Sequence, residues 1–217
     1  VSITVTSTEN VDITATCTVT VTPAKDNDDA ILAGGVIISG IGGDDLPYTD
    51  VSFRNYYYNA VKWAVDKGIT SGTSRYTFSP DVACTRAQVV TFLWRAAGSP
   101  APMLNKNPFT DVHTSDYYYD AVLWAVQNGI TNGTSAKTFS PDATVTRAQV
   151  VTFLWRANGQ PAAGNSGFVD VSSNAYYAKA VDWAFANGIT TGMDYGAFDP
   201  DTACTRAQIV TFLYRAR

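Results

Sequence analysis

The residues best suited to chemistry in this 217-residue chain come in threes. Thr85-Arg86-Ala87-Gln88 recurs as Thr146-Arg147-Ala148-Gln149 and again as Thr205-Arg206-Ala207-Gln208. Each copy opens a stretch with helical periodicity, which puts its arginine at the first helical position. A guanidinium is a planar fork that makes two parallel, charge-assisted hydrogen bonds to a carboxylate. The start of a helix adds backbone amides that have no partner within the helix and favour anions. The motif therefore unites two devices for holding an anion. A plainer reading stands beside it: each arginine forms an ion pair with a neighbouring aspartate, as in structural networks without function.

Other chemistries are poorly supplied. His113 is the single histidine and Glu9 the single glutamate, so a nucleophile–histidine site has one possible base, present in one repeat. A glycosidase needs two carboxylates flanking the bond, and although aspartates could supply them, nothing in the spacing pins a pair. Cys17, Cys84 and Cys204 are too few for a disulfide framework and fit no metal motif. The Asp26–Asp29 run lacks the spaced ligands, glycine and terminal glutamate of a calcium loop. No catalytic residue, metal site or cofactor is therefore expected. The net charge of −4 is uneven: residues 1–47 carry −6 and the remainder +2. The remainder could accept an anionic partner, but there is no basic patch of the kind a nucleic-acid binder carries.

The elements that must position the arginines follow from the repeat. Tyr48-Thr49-Asp50-Val51, Phe109-Thr110-Asp111-Val112 and Phe168-Val169-Asp170-Val171 lead three copies, spaced by 61 and 59 residues. Trp63-Ala64, Trp124-Ala125 and Trp183-Ala184 follow, then Gly-Ile-Thr at 68–70, 129–131 and 188–190. Phe78-Ser79-Pro80-Asp81, Phe139-Ser140-Pro141-Asp142 and Phe198-Asp199-Pro200-Asp201 come before the arginine motif. Within a copy, Tyr57, Ala60, Val61 and Ala64 share one helical face, which predicts a helix over about 57–67 closed by Gly68. Val89, Phe92, Leu93 and Ala96 predict a second helix starting at Thr85, where Thr-x-x-Gln forms a capping box. Cys84, Val145 and Cys204 hold the same place in the three copies, which marks a small buried apolar position at the helix entry. The tryptophans read as core. The pairs Tyr57-Tyr58, Tyr118-Tyr119 and Tyr176-Tyr177 are open between packing and groove lining.

A two-helix unit of this size cannot cover its own apolar stripes, so three units must pack on one another. The expected fold is mainly α: three helix-loop-helix repeats in one pseudo-threefold helical body, preceded by a short β segment. The expected divisions are residues 1–23 for the β segment, 24–47 for a linker, and 48–107, 108–166 and 167–217 for the repeats. Val11, Ile13, Ala15, Cys17, Val19 and Val21 alternate with polar residues as in a half-buried strand, with Val1, Ile3 and Val5 on its hairpin partner. Two strands do not make a stable domain. Their apolar face should pack on the repeats or on another chain. The longest apolar stretch, Ile31 to Ile41, is too short to span a membrane. With no signal peptide at its start, the chain reads as a mature or excised fragment.

These residues resemble the S-layer homology family. The Phe-x-Asp-Val start, the Trp-Ala-Val-x-x-Gly-Ile helix end, the Phe-x-Pro loop and the Thr-Arg-Ala-Glu-like helix start match in order, in three copies, from about Tyr48 to Arg217. The N-terminal strands more weakly resemble the end of a bacterial immunoglobulin-like domain. The family resemblance implies a central helix bundle with grooves between repeats that bind secondary cell-wall polysaccharide, often through a pyruvylated sugar. In some bacteria similar domains bind modified peptidoglycan instead. It also implies binding residues: Arg86, Arg147 and Arg206, the leading Asp50, Asp111 and Asp170, and the loop glycines Gly72, Gly133 and Gly192. One departure is uniform, since the family's motif usually ends in glutamate and all three copies here end in glutamine. Glutamine keeps the capping box but removes a carboxylate beside the arginine.

A pyruvyl ketal carries the carboxylate an arginine fork suits, aspartate accepts bonds from sugar hydroxyls, and glycine admits a ring close to the backbone. The resulting expectation is an extracellular, non-enzymatic module at the end of a larger surface protein that holds it on the bacterial wall. A protein–protein assembly module and, behind it, a glycan-processing enzyme are the rival readings.

Overall fold

The computed structural model describes residues 2–6, 14–18, 46–104 and 106–217. The chain divides into two compact units, Val1–Asp45 and Leu46–Arg217. In the first, β1 (Ser2–Thr6) pairs antiparallel with β2 (Thr14–Thr18), with Ile3 opposite Cys17 and Val5 opposite Ala15. The alternation of apolar residues with threonine therefore does make a hairpin. The rest of the expected strand and the proposed linker up to Asp45 lie outside the described residues.

The second unit holds six α-helices, two per repeat: α1 (Tyr58–Asp66), α2 (Arg86–Ala96), α3 (Tyr119–Gln127), α4 (Arg147–Ala157), α5 (Ala178–Ala186) and α6 (Arg206–Arg215). The first helix of each pair stops where the sequence supplies a left-handed residue. Gly68 sits at φ +68°, and the chain folds back so that Ile69 N donates to the Ala64 carbonyl at 2.8 Å. The second helix of each pair opens on a complete capping box. Thr85 Oγ1 accepts from Gln88 N at 3.4 Å and Thr85 N donates to Gln88 Oε1 at 3.1 Å, and the other two copies repeat both bonds.

Helices from different repeats pack in a cycle: α2 on α3, α4 on α5, and α6 back on α1, with α2, α4 and α6 meeting at the centre. The core runs through this whole body. Phe78, Phe139, Phe198, Ile69, Ile130 and Ile189 are fully buried. At the centre, three backbone bonds close a ring. Cys84 N donates to the Cys204 carbonyl at 3.1 Å, Val145 N to Cys84 at 3.1 Å, and Cys204 N to Val145 at 2.9 Å. Those three side chains are completely buried, as a small apolar position at a crowded axis requires. Burial pushes the Cys84 thiol up to about 11 and the Cys204 thiol up to about 12.

Candidate functional site: the junctions between repeats

Each motif arginine reaches out of its own repeat into the next. Arg86 Nε donates to the Phe139 carbonyl at 2.9 Å, Arg147 Nε to Phe198 at 2.9 Å, and Arg206 Nε to Phe78 at 2.8 Å, so the third arginine returns to the first repeat. Each guanidinium lies against two phenylalanine rings of the receiving repeat. For Arg86 these are Phe139 at 4.9 Å and Phe153 at 5.4 Å. Arg86 and Arg206 also donate from Nη2 to Thr131 Oγ1 and Thr70 Oγ1, both at 3.3 Å, whereas Nη2 of Arg147 is buried without a partner. The three side chains are only 4%, 2% and 3% exposed in chain order, which makes each of them a cross-repeat bolt. Burial lowers the pKa of Arg86 and of Arg147, though both stay far above neutrality in such settings.

The expectation of free amides at the helix starts is overturned. Arg86 N donates to the Ala143 carbonyl at 2.9 Å and Ala87 N to Pro141 at 3.0 Å, while Gln88 N is taken by the capping threonine. Arg147 and Ala148 bond in the same way to Thr202 and Pro200, and Arg206 and Ala207 to Val82 and Pro80. The loop of the neighbouring repeat thus occupies the place an anion would need. Nor do the motif arginines form the aspartate ion pairs of the plainer reading, since among the described residues no carboxylate lies within 4.0 Å of them.

The leading aspartates clamp their own loops. Asp50 takes Phe78 N at 2.8 Å on one oxygen and Ser79 N at 2.7 Å on the other. Asp111 does the same for Phe139 and Ser140, and Asp170 for Phe198 and Asp199. The clamp holds a carbonyl-bearing phenylalanine where the incoming arginine needs it. The residue after it is left-handed in every copy, at φ +59° for Ser79, +57° for Ser140 and +56° for Asp199. The loop glycines admit a ring, and it is the chain's own. A Cβ on Gly72 would lie 2.6 Å from the Tyr48 ring and 2.5 Å from the Thr77 carbonyl. Gly133 and Gly192 are covered in the same way by Phe109 and Phe168.

What remains open to solvent at the junctions was only partly legible. Tyr56, Tyr117 and Tyr176 are 66%, 62% and 61% exposed, each edge-on at 5.0 Å to the tyrosine that follows. Burial of the hydroxyl raises the pKa of all three, and an arginine from each of the other two repeats opposes that rise. For Tyr56 these are Arg147 and Arg215, for Tyr117 Arg95 and Arg206, and for Tyr176 Arg156 and Arg86. Each junction is thus built from all three repeats. The helical face pattern had singled out Tyr57 and Tyr58, and of these Tyr57 is core at 8% exposed. Trp124 and Trp183 are core too, at 9% and 6% exposed.

The third repeat differs. Asp199 stands where the other copies have Ser79 and Ser140, and with Asp170 and Asp201 it lines a cleft of about 470 Å³ completed by Tyr177, Pro200 and Thr202. In repeats 1 and 2 the same loop is knit by hydroxyls, such as Thr73 Oγ1 to Ser79 Oγ at 2.6 Å and Thr134 Oγ1 to Ser140 Oγ at 2.7 Å. In repeat 3, Met193 and Ala197 stand in place of Thr73 and Thr77, and Tyr195 projects with 99% exposure. Among the described residues no cluster of three metal-ligating side chains occurs, and no helix is long and apolar enough to cross a membrane.

Three helix pairs, bolted head to tail into a closed ring with a solvent-facing junction at each seam, define a tandem-repeat surface-anchoring module. The S-layer homology domain matches the chain three times, at residues 47–90, 108–151 and 167–210, and the chain belongs to that family. The family is a non-enzymatic anchoring module of the bacterial cell surface and wall. The chain is similar to a surface-layer 125 kDa protein of Lysinibacillus sphaericus, at 30% identity over 74% of this chain and 14% of that protein. It is similar to the middle cell wall protein of Brevibacillus brevis, at 30% identity over 69% of this chain and 13% of that protein. It is also similar to an endoglucanase of a Bacillus species, at 35% identity over 52% of this chain and 12% of the enzyme. The chain therefore spans a small part of each of these relatives.

Proposed function

We propose that this chain holds a larger protein on the bacterial wall by binding an anionic secondary cell-wall polysaccharide, through a pyruvylated sugar, in the junctions between repeats. The observation that carries this reading is the threefold recurrence of an exposed tyrosine flanked by arginines from the two other repeats. An aromatic face suits a sugar ring and the positive field suits its carboxylate. The same repeats occur in surface-layer proteins and in an endoglucanase, each over a small fraction of its length. Attachment is a role that such different proteins can share, which argues against an enzymatic role for the repeats themselves. Modified peptidoglycan is the alternative ligand of the same chemistry.

The test is retention of the purified chain on isolated wall polysaccharide, before and after mild acid removal of the pyruvyl ketal. Retention that disappears with the ketal supports the reading, and equal retention on both materials overturns it. Replacing Arg86, Arg147 and Arg206 together is a poor probe, because those side chains bolt the repeats and their loss acts on folding first. The β1–β2 hairpin is proposed as a self-association element, since a lone two-stranded unit needs cover. Sedimentation of the chain with and without residues 1–45 tests this, and a monomer in both forms would discard it.

A further inference from the structure

Three arginines lie outside the repeated motif: Arg95, Arg156 and Arg215, each in the last turn of a second helix. Each donates from Nη1 to a carbonyl at the end of the first helix of its own repeat, to Ile69, Ile130 and Ile189, at 3.1 Å in every case. The next residue along receives the motif arginine of another repeat. Thr70 Oγ1 takes Arg206 Nη2 and Thr131 Oγ1 takes Arg86 Nη2. Two guanidinium groups from different repeats therefore converge on adjacent residues of a third element. Among the described residues, neither member of any such pair has a carboxylate within 4.0 Å. The nearest leading aspartates, such as Asp111 beside Arg86, have both oxygens committed to backbone amides.

Two cations held together without a paired counter-ion repel each other and attract an anion. The motif arginine cannot meet a ligand squarely, because it is at least 96% buried and its Nε is spent on a carbonyl. The last-turn arginine can. Arg95 and Arg156 are half-buried and Arg215 is exposed, each anchored by one nitrogen with the rest of the fork uncommitted to that carbonyl.

We propose that Arg95, Arg156 and Arg215, with the exposed Tyr117, Tyr176 and Tyr56 respectively, are the ligand-facing residues of three anion receptors, one per junction, that take the carboxylate of an acidic sugar. The buried motif arginine supplies long-range field and scaffold. This assignment rests on the wall-glycan reading above and moves the contact residues away from the repeated motif.

The experiment is calorimetric titration of the whole chain with a methyl glycoside of an N-acetylhexosamine bearing a 4,6-pyruvyl ketal, and with the methyl ester of the same ketal. The triple variant Arg95→Gln, Arg156→Gln, Arg215→Gln should bind the acid at least tenfold more weakly and the neutral ester unchanged. The corresponding triple lysine variant should recover part of the loss. Tyr56→Ser, Tyr117→Ser, Tyr176→Ser alters exposed side chains and should weaken acid and ester alike, which keeps the proposal testable if the glutamine variant folds poorly. Acid affinity equal to wild type in the glutamine variant, or ester affinity unchanged in the serine variant, overturns the proposal. A wild-type chain that binds neither glycoside nor wall polysaccharide overturns the wall-glycan reading itself.

Discussion

Arg206 opens the last helix, and its Nε donates to the carbonyl of Phe78, 128 residues earlier in the chain, at 2.8 Å. This bond closes the ring. Arg86 and Arg147 join consecutive repeats, but Arg206 joins the last to the first, and α6 packs on α1 beside it. Three repeats are thus one cooperative body rather than an open array whose ends need caps.

Arg206→Ala should destabilise the body by on the order of 3 kcal/mol. It strips a buried carbonyl of a charged donor and empties the space between Phe78 and Phe92. Chemical denaturation followed by tryptophan fluorescence measures the loss. A chain cut after repeat 2 should fare worse, because Trp63 loses its edge-on partner Tyr214 at 5.7 Å and α1 loses its neighbour. Cooperative unfolding of that shortened chain at wild-type denaturant concentration would refute the closed-ring account.

The glycines separate local strain from packing. Gly68 and Gly72 are both left-handed, at φ +68° and +82°, but a Cβ on Gly68 meets nothing within 4 Å whereas one on Gly72 overlaps the Thr77 carbonyl and the Tyr48 ring. Gly68→Ala should cost about 1 kcal/mol, the penalty of the left-handed region alone. Gly72→Ala should cost about twice that or more, because backbone must move. Equal melting temperatures for the two variants would contradict this packing.

What the sequence disclosed and what it hid divide along a physical line. Capping boxes, the glycine stop and the apolar faces depend on residues within one turn of each other, and they read directly from Thr85, Gln88, Gly68 and Val89. The partner of Arg86 does not, since periodicity says which face is buried and never against what. The free helix amides inferred at the motif failed for the same reason: Ala143 and Pro141, which occupy them, lie more than fifty residues away. Tyr56 was missed because it precedes the N-cap Tyr57, where the 3.6-residue rule does not yet hold. The last-turn arginines carried a signal that could have been used, their recurrence at one place in all three copies.

The axial thiols make stability fall at alkaline pH. Their folded values of about 11 and about 12 lie above the ordinary 9.0, so the unfolded chain loses these protons first. Their contribution is intact below pH 9 and is lost as pH climbs through 11 to 12. Val145 shows the replacement the axis tolerates. Cys84→Val with Cys204→Val should keep stability at pH 7 within about 1.5 kcal/mol and flatten the alkaline decline. Denaturation at pH 7 and at pH 10 checks both halves, and an unchanged decline would assign it to the tyrosines instead.

The third junction should be the weakest for an acidic ligand. Asp199 adds a carboxylate where the other copies carry a serine hydroxyl, and it joins Asp170 and Asp201 along one cleft. Its charge also acts on Arg147, offsetting part of the field that Arg86 and Arg206 exert at their own junctions. One added negative charge about 7 Å from a bound carboxylate costs roughly 0.6 kcal/mol in a water-like dielectric and more where the site excludes water. Asp199→Ser should therefore tighten binding of a pyruvylated glycoside at that junction by about threefold or more at low salt. The gain should shrink as salt approaches 1 M, where the screening length falls to about 3 Å. Titrations of wild type and variant at two salt concentrations decide it. A salt-independent gain would point to loop geometry at this left-handed position, and no gain at either salt would mean that the acidic cleft lies apart from the ligand.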